Sequence, residues 1–470
     1  MGLREQLPEA CEAEAAQARV DLDGLARLEH LPFVTIDEPH SRDLDQALFI
    51  EQRGEGWVAW YAIADAAHFV PPDSARFAEA LRRGATYYLP GLVVPMLPRR
   101  LCEDLVSINP EQERRALVFR MEVDADGECT TTTIVRAHVR SRAKLSYDGV
   151  QAWLDGDAAS ECPEAEDSLR ALTRFGEARM RHADGRDVIR IHRRELELDV
   201  AGEPVRVFAR EDPRNDVERY NEQLSLLANI EGARLLAASR DAWVQPVFRV
   251  HAPPARERLA ALREHLAAIT ADRPDLAWEP GESLASYTRR LPGEPLAQAI
   301  AGQVLRVGGR SGFSASPAPH HGVGADVYAR FTAPMREVVG VFVHKEMWEL
   351  LAGAGRVDPE VQEAVIKAAS RAKGLQRRID GACERFALDR LFSERSTFRA
   401  LVMGLSSSKL HVRLDDIPID VKVYLRDLGK ARAAGIRLMI DGLEACRIGD
   451  VIDLRVRGLD RERDRWVLGF

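Results

Sequence analysis

Apolar residues in this chain fall into two kinds of segment. Short apolar runs at 31–36, 47–50 and 57–63 have the length of buried strands. Strands are also predicted at 116–123 and 131–139, joined across Asp124-Ala125-Asp126-Gly127, a hairpin signal. Further strands are expected at 188–200, 204–208 and 246–251. Helices are predicted at 74–83, 147–155, 164–183, 216–239, 256–269 and 359–392. In the helix at 216–239 the apolar stripe is Leu224, Leu227, Ile230 and Leu235. Asn229 falls inside that stripe, and an amide next to a core needs a hydrogen-bond partner. From about Phe398 the pattern becomes short strands with turns: 399–404, 409–413, 419–424, 437–440, 451–457 and 465–468. That fits a small closed barrel of the OB kind. The expected fold class is therefore α+β. A mixed α/β domain over 31–393 precedes a small all-β barrel over 394–470, and residues 1–30 form a helical lead-in.

The lead-in has helical composition from Leu7 to Leu28, with Pro8 tolerable only in a first turn. Two other segments stand apart from the pattern. The stretch 85–99 carries Tyr87-Tyr88-Leu89-Pro90-Gly91 and then Val94-Pro95-Met96-Leu97-Pro98, which reads as a stiff, partly buried loop. Its tyrosines are either core residues or stacking surfaces for bases. The stretch 313–344 holds His320-His321 and then Tyr328-Ala329-Arg330-Phe331-Thr332-Ala333-Pro334-Met335-Arg336. The two histidines have no third ligand at metalloprotease spacing, so they read as structural or substrate-contacting. Arg336 follows a proline that opens a helix, where a guanidinium meets a phosphate well.

Composition adds limits. The chain has 470 residues, 46% hydrophobic and 30% charged, which suits a soluble protein of two to four domains. No apolar run approaches the length of a bilayer span, so no membrane association is expected. The N-terminus shows no basic-then-apolar signal pattern, and cytoplasm is the expected compartment. Six cysteines are scattered without a CxxC pair, against a zinc site or disulfide framework. The net charge of −8 disfavours a general nucleic-acid binder. Residues 395–470, however, carry 15 Lys and Arg against 11 Asp and Glu, so the excess of acid lies elsewhere. A modest basic balance on one small barrel suits phosphate binding, and suits a solvated surface nearly as well.

The chemistry concentrates at 35–50. Asp37, Asp43 and Asp45 lie within nine residues, flanked by predicted strands. Carboxylates held close together against a core repel, and a cation relieves this. Hard divalent ions such as Mg²⁺ take carboxylate oxygens. A solvated acidic turn is the plain alternative, because Asp is a common turn residue.

Taken together these blocks resemble the ribonuclease II / ribonuclease R family of 3′→5′ exoribonucleases, whose RNB catalytic domain is followed by an RNA-binding OB fold. The blocks are Thr35-Ile36-Asp37 with Asp43-Leu44-Asp45, Ala62–Asp65, Tyr88-Leu89-Pro90 with Pro95–Pro98, Ser141–Tyr147, Asn221-Glu222 with Ala228-Asn229, Phe248–His251 and Phe331–Arg336. The resemblance implies metal ligation by Asp37, Asp43, Asp45 and the residue at 46, with Mg²⁺ or Mn²⁺ as cofactor. It implies catalytic roles for Asp43, Asp45 and Arg336, with Arg336 at the scissile phosphate. It implies RNA contacts from Tyr88, which closes one end of a buried base stack. Tyr147 and Glu222 hold the 3′-terminal nucleotide in this scheme. Arg186 lies near the place of the second stacking aromatic.

Departures from the family pattern accompany the match. Position 46 is Gln46, where family members carry a fourth aspartate. Glu337 replaces an arginine and Gly340 an aspartate. The 30-residue lead-in has no room for the usual pair of N-terminal cold-shock domains, so a more open RNA entry is expected. The leading expectation is a Mg²⁺-dependent exoribonuclease that acts on single-stranded RNA and releases 5′-nucleoside monophosphates, with no obligatory protein partner evident. The alternative is a catalytically weak or inactive RNA-binding protein on the same scaffold.

Overall fold

The computed structural model describes residues 4–186, 188–189, 195–199, 206–210 and 214–470. Its architecture is α+β, as the sequence pattern leads one to expect. The chain divides into two compact units that do not follow chain order. The first comprises 1–186, 214–252 and 311–377, and the second 187–213, 253–310 and 378–470.

The first unit is built on a six-stranded sheet. The strands Phe33–Asp37, Gln46–Arg53, Gly56–Ala64 and Glu113–Val123 are neighbours in that order and run antiparallel. The 18-residue strand Cys129–Ser146 then pairs with both outer strands of this row, and with the short strand Ala26–Arg27 as well. Its first part runs antiparallel to Glu113–Val123, and its last part runs parallel to Phe33–Asp37. One long strand thus joins both ends of the row and closes it. The core is Phe33, Leu48, Tyr61, Phe119 and their neighbours, drawn from the alternating inward positions. Helix Glu166–Asp184 covers this sheet, and its Ser168 hydroxyl accepts from the Ile50 amide at 2.8 Å. Helix Asp216–Ala238 lies against helix Glu166–Asp184 and carries Asn229 into the core, where it is 1% exposed.

The second unit holds the barrel. Strands Asp420–Tyr424, Lys409–Leu414, Thr397–Leu405, Val451–Asp460 and Arg465–Gly469 form one antiparallel sheet in that order, and its two edge strands approach each other. Period-two alternation builds its core: Leu410, Val412 and Leu414 are buried, while Lys409, His411 and Arg413 between them are half-buried. Helices Arg256–Ile269, Leu284–Arg290 and Pro295–Val307 share that core through Leu266, Ile300 and Val304.

Several expectations shift. The lead-in helix is short, Glu9–Gln17, because Asp21, Asp23 and Gly24 break the pattern and a parallel strand follows at Ala26–Arg27. The stiff loop at 85–99 contains a hairpin, Tyr87–Leu89 with Leu92–Val94, turning at Pro90-Gly91. Its tyrosines divide, Tyr87 being buried and Tyr88 49% exposed. Strands Glu195–Asp199 and Arg206–Arg210 pair antiparallel, and the rest of the strands expected at 188–200 and 204–208 is largely outside the described residues. The helices at 284–290 and 295–307 carried no expectation, nor did strands Ala431–Ala434 and Leu443–Arg447, which flank the expected Arg437–Ile440 in a separate three-stranded sheet.

Gly232 sets how closely the segment before Arg336 packs. A Cβ there would meet the Phe331 ring at 2.5 Å. Gly232→Ala should therefore cost about 1–3 kcal/mol, as overpacking does, read as a lowered urea midpoint at unchanged slope.

Candidate active site

The acidic residues sit where two strands begin and end. Asp37 is the last residue of Phe33–Asp37, and Asp45 directly precedes Gln46–Arg53. The Asp45 carbonyl accepts from the Ala64 amide at 2.8 Å, which fixes the residue to the sheet. The intervening loop is tied down from two sides. Lys144 donates to the carbonyls of Pro39 and Ser41 at 2.7 and 2.6 Å, and the Ser107 hydroxyl accepts from the Leu44 amide at 2.9 Å. Asp37 accepts from the Glu38 amide and the Ser41 hydroxyl, both at 2.8 Å.

Arg336 approaches from a different part of the chain. Its Nε lies 2.7 Å from Asp45 Oδ2, and the Met335 amide donates to Asp45 Oδ1 at 3.2 Å. The short Arg336–Asp45 contact is an ion pair without hydrogen-bond alignment, since neither Nε nor Oδ2 has an aligned partner. Asp45 is 2% exposed, and burial pushes its carboxyl up to about 6, against the pull of Arg336 and with help from Asp43. Asp43 is raised by burial too, with Asp37 adding and Arg336 opposing. Arg336 in turn is held above its ordinary value, chiefly by Asp45.

The loop that carries Arg336 is clamped from below. Asn229 Oδ1 accepts from the Phe331 and Thr332 amides at 2.7 and 3.2 Å. Its Nδ2 donates to the Tyr328 hydroxyl and to Thr332 Oγ1, both at 3.0 Å. His344, fully buried, binds the Phe331 carbonyl through Nε2 at 2.9 Å. Gln46 joins this clamp: its Nε2 donates to the Thr332 carbonyl, and its Oε1 accepts from the Tyr61 and Ser225 hydroxyls. The sequence signalled Asn229 as an amide in need of a partner but named no partner; Tyr61 and Ser225 carried no signal.

Tyr147 comes to the same place by strand register. Asp37 pairs with Ser146, so Tyr147, the next residue, begins its helix beside the acidic cluster. Burial pushes its hydroxyl up to about 12, with the Asp37 charge adding. The Asn221 amide donates to it at 3.1 Å.

The RNB domain model matches residues 26–353. This chain belongs to the RNB family. It is 32% identical over 360 residues to ribonuclease R of Vibrio cholerae, covering 75% of this chain and 42% of that protein. The chain thus spans less than half the length of that curated relative. The fold matches Mycoplasma genitalium RNase R in complex with ribose methylated single-stranded RNA, with TM-score 0.86 at 22% identity, over 100% of this chain and 76% of that one. It also matches yeast Ssd1, a pseudonuclease, with TM-score 0.67 at 14% identity, over 91% of this chain and 53% of that one.

In this RNB chain Asp37, Asp43, Asp45, Arg336 and Tyr147 act on one another electrostatically. Tyr88 joins them through Arg336: burial pushes its hydroxyl up to about 12, and the Arg336 charge opposes this. Glu222 is exposed on its helix, with Arg214 3.6 Å away. Its neighbour Asn221, rather than Glu222, touches Tyr147. Arg186 follows helix Glu166–Asp184, where burial lowers Arg179 and His182 and the Arg186 charge adds to this.

Three carboxylates facing one guanidinium leave a formal excess of two negative charges, and Asp45 Oδ2 has no aligned donor. That donor chemistry suits a hard divalent cation. Among the described residues no three acidic, His or Cys side chains converge into a ready cage. Gln46 does not fit as a ligand, because its carbonyl oxygen already accepts two hydroxyl hydrogen bonds.

The other departures have local reasons. Glu337 is gripped by Arg330 through hydrogen bonds of 3.2 and 2.7 Å. Gly340 lies in the first turn of helix Val338–Ala352 and presses on the preceding turn, where a Cβ would meet Pro334 Cα at 2.7 Å. No aspartate side chain fits that backbone.

Asn229→Leu should leave two buried amides without acceptors and cost about 2–4 kcal/mol, checked by chemical denaturation. For Asp45 the sign follows from its raised value. Below the ordinary 3.8 both folded and unfolded chains are protonated, and above about 6 both are ionised, so ionisation opposes folding across that window. The stability of Asp45→Asn relative to wild type, both metal-free, should rise by on the order of 2–3 kcal/mol between pH 4 and pH 6.5. A flat difference would contradict the raised value.

Proposed function

We propose that the chain is a metal-dependent 3′→5′ exoribonuclease that hydrolyses single-stranded RNA to 5′-nucleoside monophosphates. The observation that carries this reading is the acidic cluster faced by one arginine, Asp37, Asp43 and Asp45 against Arg336, on a family scaffold. In this reading Asp37, Asp43 and Asp45 hold Mg²⁺ or Mn²⁺. A bound divalent ion supplies polarisation of the phosphate and a more acidic water. Arg336 lies against the scissile phosphate and offsets the charge that develops there. Tyr147, propped by Asn221, bounds the space for the 3′-terminal nucleotide. Glu222, one residue on, offers its carboxylate to a ribose 2′-OH, the group that separates RNA from DNA. Tyr88 presents a half-exposed ring for base stacking. Six free cysteines accord with a reducing compartment, and the cytoplasm is the expected place of action. Among the described residues no helix is long and apolar enough to cross a membrane.

The test is release of labelled mononucleotide from a 3′-labelled oligoribonucleotide in Mg²⁺ or Mn²⁺. Asp45→Asn should lower the rate by at least about a thousandfold while RNA binding persists. Undiminished hydrolysis by Asp45→Asn would sink the assignment.

The engaged amide of Gln46 favours a second reading, RNA binding with little catalysis. The two separate at Gln46→Asp. Aspartate is one methylene shorter and cannot donate to the Thr332 carbonyl, so the variant should lose about 1–2 kcal/mol of stability and gain no activity. A gain of tenfold or more would mean that the natural site is impaired at this position.

A further inference from the structure

A cavity of about 340 Å³ adjoins the acidic cluster. Arg336 and Gln46 line it, whereas Asp37, Asp43 and Asp45 do not. Its other charged walls are Arg249, Arg330, Lys373 and Glu337. Apart from Arg336, which Asp45 pairs from behind, three cations therefore meet a single carboxylate.

Neutral props hold these cations in place. Lys373 donates to the Ser311 carbonyl and hydroxyl, both at 3.0 Å, and Arg249 donates to the same hydroxyl at 3.1 Å. The Phe313 ring lies 5.2 Å from the Arg249 guanidinium and 5.4 Å from the Lys373 ammonium. Neither prop cancels any charge. Arg330 is paired with Glu337 and Arg336 with Asp45, whereas no ion pair is seen for Arg249 or Lys373 among the described residues. Burial pushes the Glu337 carboxyl up, but Arg330, with Arg249 and Arg336 behind it, holds it below its ordinary value. Lys373 is driven down to about 8, by burial first and then by Arg249, against the pull of Glu337 and with Arg377 and Arg330 adding. Burial and then Arg330 lower Arg249 as well. Like charges fixed together around a cavity repel, and an anion in the cavity relieves them. The volume is that of a small-ligand site. Half-exposed Tyr88 and Phe313 supply apolar wall for a sugar or base.

We propose that this cavity is a ribonucleotide phosphate subsite, in which Arg249, Arg330 and Lys373 hold a phosphate next to the one at Arg336. Glu337 acts on it indirectly, by fixing the direction of Arg330. The proposal rests on the exoribonuclease reading for its ligand class. Two sources share the chemistry: a backbone phosphodiester of the RNA strand and the phosphate of a released mononucleotide.

The test is equilibrium binding by the full chain in EDTA, so that hydrolysis plays no part. The probes are a fluorescent oligoribonucleotide and 5′-AMP, with adenosine as the phosphate-free control. Wild-type protein should be stabilised thermally by 5′-AMP more than by adenosine. Lys373→Met should weaken phosphate ligands roughly tenfold and reduce the salt slope for RNA by about 0.7, as loss of one contact to a single strand does. Lys373→Arg should restore both. A loss confined to the oligoribonucleotide assigns the subsite to the strand, and a loss confined to 5′-AMP assigns it to the product. Equal stabilisation by 5′-AMP and adenosine, or unchanged affinities in folded Lys373→Met, overturns the proposal. An inactive protein that still shows these shifts keeps the subsite and loses the exonuclease reading.

Discussion

The 2.7 Å contact between Arg336 and Asp45 is the interaction on which the site depends. It joins residues 291 positions apart in sequence, so each side must be fixed independently. On the acidic side the sheet does this: Asp45 is hydrogen-bonded through its backbone to Ala64, and its loop is tied by Lys144 and Ser107. On the basic side Asn229, His344 and Gln46 hold the turn from Tyr328 to Thr332. Burial alone would neutralise Asp45, and the guanidinium opposes that. Two charges that each need the other are therefore delivered by two rigid supports.

The sequence makes one of those supports legible. Asp37, Asp43 and Asp45 between two apolar runs read correctly as strand-end and loop carboxylates, because strand period and loop polarity are local signals. The barrel is legible for the same reason, since its strands alternate plainly. The other support is not legible, because the Asn229 partners Tyr328, Phe331 and Thr332 lie about a hundred residues away. Gln46 shows the same limit more sharply. From the chain alone it is a neutral residue in an acidic position, whereas its surroundings supply two hydroxyl donors and one carbonyl acceptor that suit an amide. The short helix Glu9–Gln17 marks a different failure, where composition favoured a helix and a turn with Asp and Gly ended it.

The departures at 46, 337 and 340 each have a structural counterpart. Gln46 has its three partners, Glu337 has Arg330, and Gly340 has the close turn at Ala333-Pro334. Such matched changes are what mutual support between local and global structure produces. Substituting one of them alone leaves its counterpart without a partner or without room.

The long strand Cys129–Ser146 carries a further consequence. Its last residues set the register against Phe33–Asp37 and so decide where Tyr147 stands. Successive side chains in a strand face opposite sides, so a shift of one residue there would turn Ser146 away and carry Tyr147 to the wrong face. The hairpin tip at Asp124–Gly127 lies at the far end of the same strand and is held in its own way: Gly127 has φ +82°, a Cβ there would meet the Ala178 carbonyl oxygen at 2.6 Å, and buried Arg179 donates to the Gly127 carbonyl. Insertion and deletion are therefore constrained at both ends of this strand, at one by the place of Tyr147 and at the other by the helix Glu166–Asp184.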